Sequence, residues 1–345
     1  MRFVVFGTGA VGGSVAARLH LSEHEVIAIA RGAHLEALRR DGLSFVTPAQ
    51  RATIPLSAVG GPDEIQWRAD DVVLLSTKSQ DTLAALTAVR DAAGPELAVV
   101  CLQNGVENER IALRLFDRVY AAVVMLPAAH LEPGVVLSYG VSVTGMLDLG
   151  RYPGSVDPLC EQICGALGAA RFETRAMADV MRAKRAKLLL NLGNAPNALC
   201  APGPDRDELV ALCKAEGEAA MTAAGLAFTD NEVTDIDGRW RRMGVAEIDG
   251  VPRAGSSTWQ SLARAAGSVE TDHLNGEIVL QGRLHGVPTP VNAALCRLAT
   301  LAARQRWTPQ TLPAREVLAS VDPRQASERG VTRTAQRHAA SWSAA

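Results

Sequence analysis

The chain has almost no net charge. Its 35 Lys and Arg face 37 Asp and Glu, a formal balance of −2, so there is no electrostatic reason to expect nucleic acid or an anionic membrane as partner. No apolar run approaches the roughly 20 residues that span a bilayer. Cysteine is sparse and scattered, at 101, 160, 164, 200, 213 and 296. It shows neither the CxxC pairs of zinc and redox sites nor the density of a secreted disulfide scaffold. Cys160 and Cys164 would be neighbours on a helix, but with no His or further Cys nearby they read as small apolar fillers, and no metal site is expected. A signal peptide is not expected either, because the first apolar segment, Phe3 to Phe6, is short and runs at once into glycines. There is no internal repeat. These absences leave a reduced, cytoplasmic protein acting on a small molecule, with a homodimer left open.

With 345 residues and 48% hydrophobic side chains, the chain exceeds one ordinary core and suits two domains. Short runs rich in Val, Ile and Leu recur at Arg2 to Phe6, Val26 to Ala30, Val72 to Ser76, Leu97 to Leu102 and Val119 to Met125. Amphipathic stretches at Val11 to Leu21, His34 to Arg40, Asp81 to Ala93 and Glu107 to Arg114 separate them. This is the βαβ pattern of a parallel sheet covered on both faces. Gly134 to Leu147 reads as antiparallel strands extending that sheet, and a helix and strand at Val156 to Phe172 close the domain. Beyond Ala176 the periodicity is helical almost throughout, at 178–200, 206–225, 256–266, 270–286 and 290–305. The expected division is a Rossmann domain at 1–176, an all-α domain at 177–320 and a polar tail at 321–345.

Gly7-Thr8-Gly9-Ala10-Val11-Gly12 follows the first strand and opens a helix. In that context Gly7 permits the tight turn, Gly9 lets pyrophosphate approach the backbone, and Gly12 allows close helix packing. The helix N-terminus offers unpaired N–H groups to phosphate. At the end of the second strand, where an NAD enzyme would place Asp or Glu for the ribose 2′-hydroxyl, stands Arg31, which suits a 2′-phosphate and favours NADP. Lys78 and Asn104 follow later parallel strands, where open α/β sheets gather ligands, although taken singly each could be a solvent-facing turn residue.

If a bound nicotinamide delivers hydride to a carbonyl, the reaction needs a proton source beside that oxygen and polar groups that grip the substrate. Lys187, Asn191 and Asn194 are spaced i, i+4 and i+7, one stripe of a helix. Asn is a mediocre helix former, so such a stripe amid leucines suggests a polar face on a cleft, with a plain solvated face as the alternative. Pro196, lacking an N–H, would free the carbonyl of Leu192 and kink the helix there. Further on, Ser256-Ser257 reads as a helix N-cap, while Asn275-Gly276 inside a helical pattern is locally unfavourable and hints at a packing or functional reason.

In order, these features resemble the 2-dehydropantoate 2-reductase (ketopantoate reductase) family from Gly7 to about Leu295. The matches are the glycine motif, Arg31, Lys78, Asn104-Gly105, Lys187-x-x-x-Asn191, Ser256-Ser257, and Glu270 with Asn275-Gly276. The resemblance implies an α/β N-terminal Rossmann-type domain joined to an all-α C-terminal domain of the 6-phosphogluconate dehydrogenase type. It implies NADPH-dependent reduction of a 2-oxo acid in pantothenate biosynthesis, with Lys187 as general acid and Glu270 beside it in the catalytic set. Asn104, Asn191, Asn194 and Ser257 would hold substrate; Gly7, Thr8, Gly9, Ala10, Val11, Gly12, Arg31, Lys78 and Asn104 would hold NADP. The chain departs from the family where Ala195 occupies the usual place of the second helix Asn, and at Thr258, Ser261, Val269 and Thr271. The substrate expectation is therefore ketopantoate or a related 2-oxo acid. The competing readings are an NAD(P)-dependent 3-hydroxy acid dehydrogenase and a non-catalytic NADPH-binding sensor.

Overall fold

The computed structural model describes residues 1–321 apart from 230, 232–234 and 252–254; the expected polar tail lies, from residue 322 on, outside the described residues. Two compact units emerge, one of Met1–Asn191 with Leu226–Ala254, the other of Leu192–Gly225 with the described chain from Gly255 onward.

In the first unit β1 (Arg2–Phe6), α1 (Ala10–Leu21), β2 (Val26–Ile29) and α2 (Gly32–Asp41) lead to β3 (Leu43–Val46), β4 (Arg51–Ile54) and β5 (Ser57–Val59). Then come β6 (Asp71–Leu75), α3 (Thr82–Ala93), β7 (Ala98–Cys101), α4 (Asn108–Leu113) and β8 (Arg118–Met125). Six strands pair in parallel in the order β5-β2-β1-β6-β7-β8. This is the doubly wound dinucleotide-binding order, with its topological switch point at β1. The strands are apolar on both faces because both faces are covered: Phe3, Val4 and Val5 of β1 and Val73, Leu74 and Leu75 of β6 are wholly buried. At the start of these two strands the Arg2 guanidinium donates to both Asp71 carboxylate oxygens, at 2.8 and 2.7 Å, fixing their register with a buried bidentate pair.

The region after β8 departs from the sequence expectation. Of the strands expected over Gly134 to Leu147 only β11 (Gly145–Arg151) extends the main sheet, antiparallel to β8; α5 (Pro158–Ala169) and the short β12 (Phe172–Glu173), which pairs parallel to β11 at the sheet edge, follow. The strand expected before it, β10 (Val135–Ser138), joins a second sheet of order β4-β3-β10-β9, where β9 is Ala128–Ala129. That sheet exists because β3 and β4, four residues each and too short for a period to show, pair antiparallel and turn Leu43, Phe45 and Ile54 into the core.

The helix expected at 178–200 is two helices. α6 (Val180–Asn191) lies in the first unit, where Val180, Met181, Ala183 and Ala186 pack on Ala121 and Val123 of β8. The unit boundary therefore falls after Asn191 rather than near residue 177, because α6 buries its apolar stripe on the sheet. α7 (Asn194–Leu199) starts the second unit. Pro196 cannot donate to the Leu192 carbonyl, and the Asn275 side-chain amide donates to it instead, at 3.2 Å. The break accordingly sits at residues 192 and 193, a turn earlier than the proline.

The second unit continues with α8 (Pro204–Ala223). The chain then returns to the first unit for α9 (Ile236–Met243), whose Met243 packs against Met125 and Met146. Its Arg239 is fully buried, with Nη2 3.2 Å from Asp148 Oδ2. The remaining helices of the second unit are α10 (Ser257–Ala263), α11 (Asn275–His285), α12 (Pro290–Arg304) and α13 (Ala314–Val321). The stretch expected as one helix at 270–286 opens instead with a 3₁₀ turn at Thr271–His273.

Candidate active site

The loop after β1 is held in shape by the loop after β6. Gly7 has φ +96°, and a Cβ there would meet Thr77 N at 2.8 Å; at Gly12 a Cβ would lie 2.2 Å from both Gly7 O and Ser76 Oγ. Ser76 Oγ donates to Gly7 O at 2.7 Å, so the turn is clamped across the switch point. Gly9 N-caps α1 with no side-chain cap and no acidic residue in the first turn, and a Cβ on Gly9 would meet nothing nearer than His130 Cδ2 at 4.0 Å. The first-turn N–H groups are thus presented on an open face, with the positive end of the helix dipole behind them.

Thr8 is buried and its carbonyl accepts from His34 Nε2 at 2.9 Å, while His34 Nδ1 accepts from Gly134 N–H at 2.8 Å. These two bonds require the neutral ring protonated on Nε2, and burial lowers the His34 pKa in keeping with that. Arg31, at the end of β2 and 86% exposed in its side chain, reaches Asp81 Oδ2 at 3.1 Å. Lys78 is half-buried in the loop after β6, and Asn104 is half-buried in the loop after β7. The Asn104 carbonyl accepts from Asn108 Nδ2 at 3.1 Å. Gly7, Thr8, Gly9, Arg31, Lys78 and Asn104 therefore sit on loops that follow the β1, β2, β6 and β7 strands of one sheet, with Ala10, Val11 and Gly12 in the first turn of α1, where this architecture binds ligands.

Lys187 and Asn191 meet as their i, i+4 spacing on α6 predicts, Lys187 Nζ donating to Asn191 Oδ1 at 2.6 Å. Lys187 is partly buried, and burial first, then the Arg239 cation, lowers its pKa from 10.5 to about 8. Asn191 is buried, and its Nδ2 has no hydrogen-bond partner among the described residues. Its amide is oriented by the lysine and keeps two donor hydrogens for another oxygen.

Asn194 does not continue that stripe, because α6 ends at Asn191. In the second unit it lies beside the serine pair: its Nδ2 reaches Ser257 Oγ at 3.5 Å, and its carbonyl accepts from Ser256 Oγ at 3.2 Å. Ser256, rather than Ser257, caps α10, bonding Trp259 N at 3.3 Å, which leaves the Ser257 hydroxyl to Asn194. Glu270 is buried immediately before the 3₁₀ turn. Asn275 is explained by packing, since it bridges Leu192 O and Asn292 Oδ1, the latter at 2.9 Å. No local pattern points to Ser76, to the histidine under Thr8, or to Arg239 near the lysine, since each acts through a contact distant in the chain.

A Rossmann sheet whose glycine turn shares one unit with a partly buried lysine bonded to a buried asparagine has the form of an oxidoreductase. The comparisons supply the family. The ketopantoate reductase PanE/ApbA model matches residues 3–154, and the model of its C-terminal part matches 179–303. The 2-dehydropantoate 2-reductase of Halobacterium salinarum is 30% identical over 319 residues, 88% of this chain and 99% of that one. Its counterpart in Caulobacter vibrioides is 30% identical over 315 residues, 87% and 98% of the two chains. Among solved structures, a PanE/ApbA family ketopantoate reductase from Ralstonia eutropha JMP134 matches with TM-score 0.74 and 30% identity, over 89% of this chain and 99% of that one. A D-mandelate dehydrogenase solved with NADH and anilino(oxo)acetate shares the fold, with TM-score 0.75 and 20% identity over 89% and 99%. The chain belongs to the ketopantoate reductase family and is an oxidoreductase.

Proposed function

We propose that this chain reduces 2-dehydropantoate, or a close 2-oxo acid relative, to the 2-hydroxy acid, with NADPH as hydride donor and Lys187 as general acid. The observation that carries this reading is the Lys187–Asn191 pair, an ammonium with a pKa near 8 bonded at 2.6 Å to an amide whose other donors are buried and unspent. An acid with its pKa near working pH is the most effective proton donor to an oxygen that gains charge in the transition state.

The turn at Gly7–Gly12 fits a dinucleotide: only glycine is tolerated at its closest approach, and the α1 N–H groups are uncapped. Arg31 would hold the 2′-phosphate, drawing away from Asp81, with Lys78 and Asn104 on the adjacent loops. Bound there, the reduced nicotinamide supplies the hydride. Lys187 gives its proton to the carbonyl oxygen as that oxygen becomes an alkoxide, ending as the neutral amine. Asn191 Nδ2 donates to the substrate and fixes which carbonyl face is presented. In the second unit the proposed substrate contacts are the Asn194 amide, the Ser257 hydroxyl and the Glu270 carboxylate.

The test is NADPH oxidation across branched 2-oxo acids with and without a 4-hydroxyl, wild type against Lys187→Ala. The hydroxylated acid should give the highest kcat/KM, and the variant should lose about 10²- to 10⁴-fold while still binding NADPH. Unchanged turnover in the variant sinks the assignment. Activity with oxidised cofactor on 3-hydroxy acids, but not 2-hydroxy acids, favours the competing dehydrogenase reading.

A further inference from the structure

One turn before Lys187 on α6 lies a second lysine, Lys184, that the reaction does not use. Its side chain is 2% exposed and its Nζ donates to Glu109 Oε1 at 2.7 Å; Glu109, on α4, is 0% exposed. The same ammonium donates to the backbone carbonyl of Gln103 at 2.9 Å. Buried ion pairs contribute little net stability, because desolvation offsets their attraction, and apolar replacement of both partners is often neutral. What this pair does hold is a peptide plane. The Gln103 carbonyl belongs to the peptide on the N-terminal side of Asn104, and the Asn104 carbonyl, bonded by Asn108 Nδ2 at 3.1 Å, belongs to the peptide on its C-terminal side. With both planes tethered, the φ and ψ of Asn104 are fixed, and so is the direction of the Cα–Cβ bond from which its side chain starts.

The network also reaches the other loop. Gln103 Nε2 donates to the Thr77 carbonyl at 3.0 Å, next to Lys78, and to Thr82 Oγ1 at 2.8 Å, which in turn bonds Asn108 Oδ1 at 2.8 Å.

The geometry points to Lys184, paired with Glu109, as a positioning residue that sets the Asn104 loop against the helix carrying Lys187. This rests on the reading of Asn104 as a cofactor and substrate contact. Freed of Lys184, the peptide before Asn104 can pivot; a rotation of about 20° swings a side-chain amide roughly 3 Å off the axis by about 1 Å, a misplacement on the order of 10²-fold in rate.

The experiment is a mutant cycle joining Lys184→Met/Glu109→Leu, which removes both charges together, with Asn104→Ala. Each combination is measured for thermal melting, kcat, KM and dinucleotide affinity by fluorescence titration. The charge-free pair should melt near wild type, lose about 10²-fold in kcat/KM with most of the loss in kcat, and make Asn104→Ala nearly silent in its background. A purely structural pair would leave the Asn104→Ala penalty undiminished, and that result, or wild-type kcat in the charge-free pair, overturns the inference. Should the charge-free pair not fold, Lys184→Arg takes its place in the same cycle, since it keeps the ion pair but carries its donors on a planar fork. Undiminished Asn104→Ala losses there also overturn the inference. If wild type turns over no 2-oxo acid, the functional proposal fails and the cycle is read on dinucleotide affinity alone; if it binds no dinucleotide either, both proposals fall.

Discussion

A lysine held near pKa 8 should write itself into the pH dependence of the reaction. Burial of the Lys187 ammonium, with Arg239 as the lesser cause, moves it from 10.5 to about 8, a differential of roughly 3 kcal/mol against the charged form. At pH 7 about nine tenths of the enzyme then carries the proton, and at pH 9 about one tenth. For ketone reduction kcat/KM should be level at neutral pH and fall about tenfold per unit above pH 8. Steady-state NADPH oxidation at saturating cofactor, between about pH 6 and pH 10, measures the limb. In Lys187→Met the residual rate should show no such limb, and in Arg239→Met the limb should move upward, because one like charge has gone. The same shift has a sign for stability. The unfolded chain binds this proton up to about pH 10.5 and the folded chain only up to about pH 8, so stability should rise with pH across that interval, and Lys187→Met should melt higher than wild type at neutral pH. A limb that survives in Lys187→Met, or one displaced to 10.5, would refute the argument, since either places the proton donor elsewhere or the lysine in water.

Arg31→Ala should weaken NADPH binding about 10- to 100-fold, the worth of one or two charge-assisted hydrogen bonds, and leave NADH nearly unchanged; equal losses for both would remove the 2′-phosphate role. Gly12→Ala would set a Cβ 2.2 Å from Gly7 O and Ser76 Oγ, so dinucleotide affinity should collapse even where circular dichroism shows a folded protein, and retained affinity would show that the turn can relax. Asn275→Ala leaves the Leu192 carbonyl and Asn292 Oδ1 without their donor inside the second unit. It should cost about 2–3 kcal/mol in urea unfolding, and a shift below about 0.5 kcal/mol would mean that the broken helix needs no side-chain substitute.

What was legible in the sequence depended on how locally each signal is generated. Gly7–Gly12 could be read because every part of the motif's physics, the turn, the approach and the helix packing, lies within six residues of a buried strand. Lys187 and Asn191 could be read because i, i+4 spacing brings two side chains together in any helix. Asn194 obeyed the same phase and yet left the stripe, since phase is preserved only while the helix is continuous. Pro196 removes the N–H that would have carried the helix past Leu192, and the orphaned carbonyl is satisfied from residue 275, 83 positions away. The oddities of Pro196 and Asn275, each noticeable alone, are thus joined through one hydrogen bond, Asn275 donating to the Leu192 carbonyl that Pro196 leaves free. No window short enough to show a period could join them. The same limit hid β3 and β4, whose four-residue strands are specified by pairing with each other and with β10. It also hid Lys184, which looks like any helix lysine until Glu109 and the Gln103 carbonyl are seen around it. The residues proposed to touch a dinucleotide leave a local trace, because a phosphate's approach imposes its shape on a short loop. Residues that hold those loops in place act, apart from the local Asn108–Asn104 bond, through contacts 21 to 81 positions apart, and only the fold reveals them.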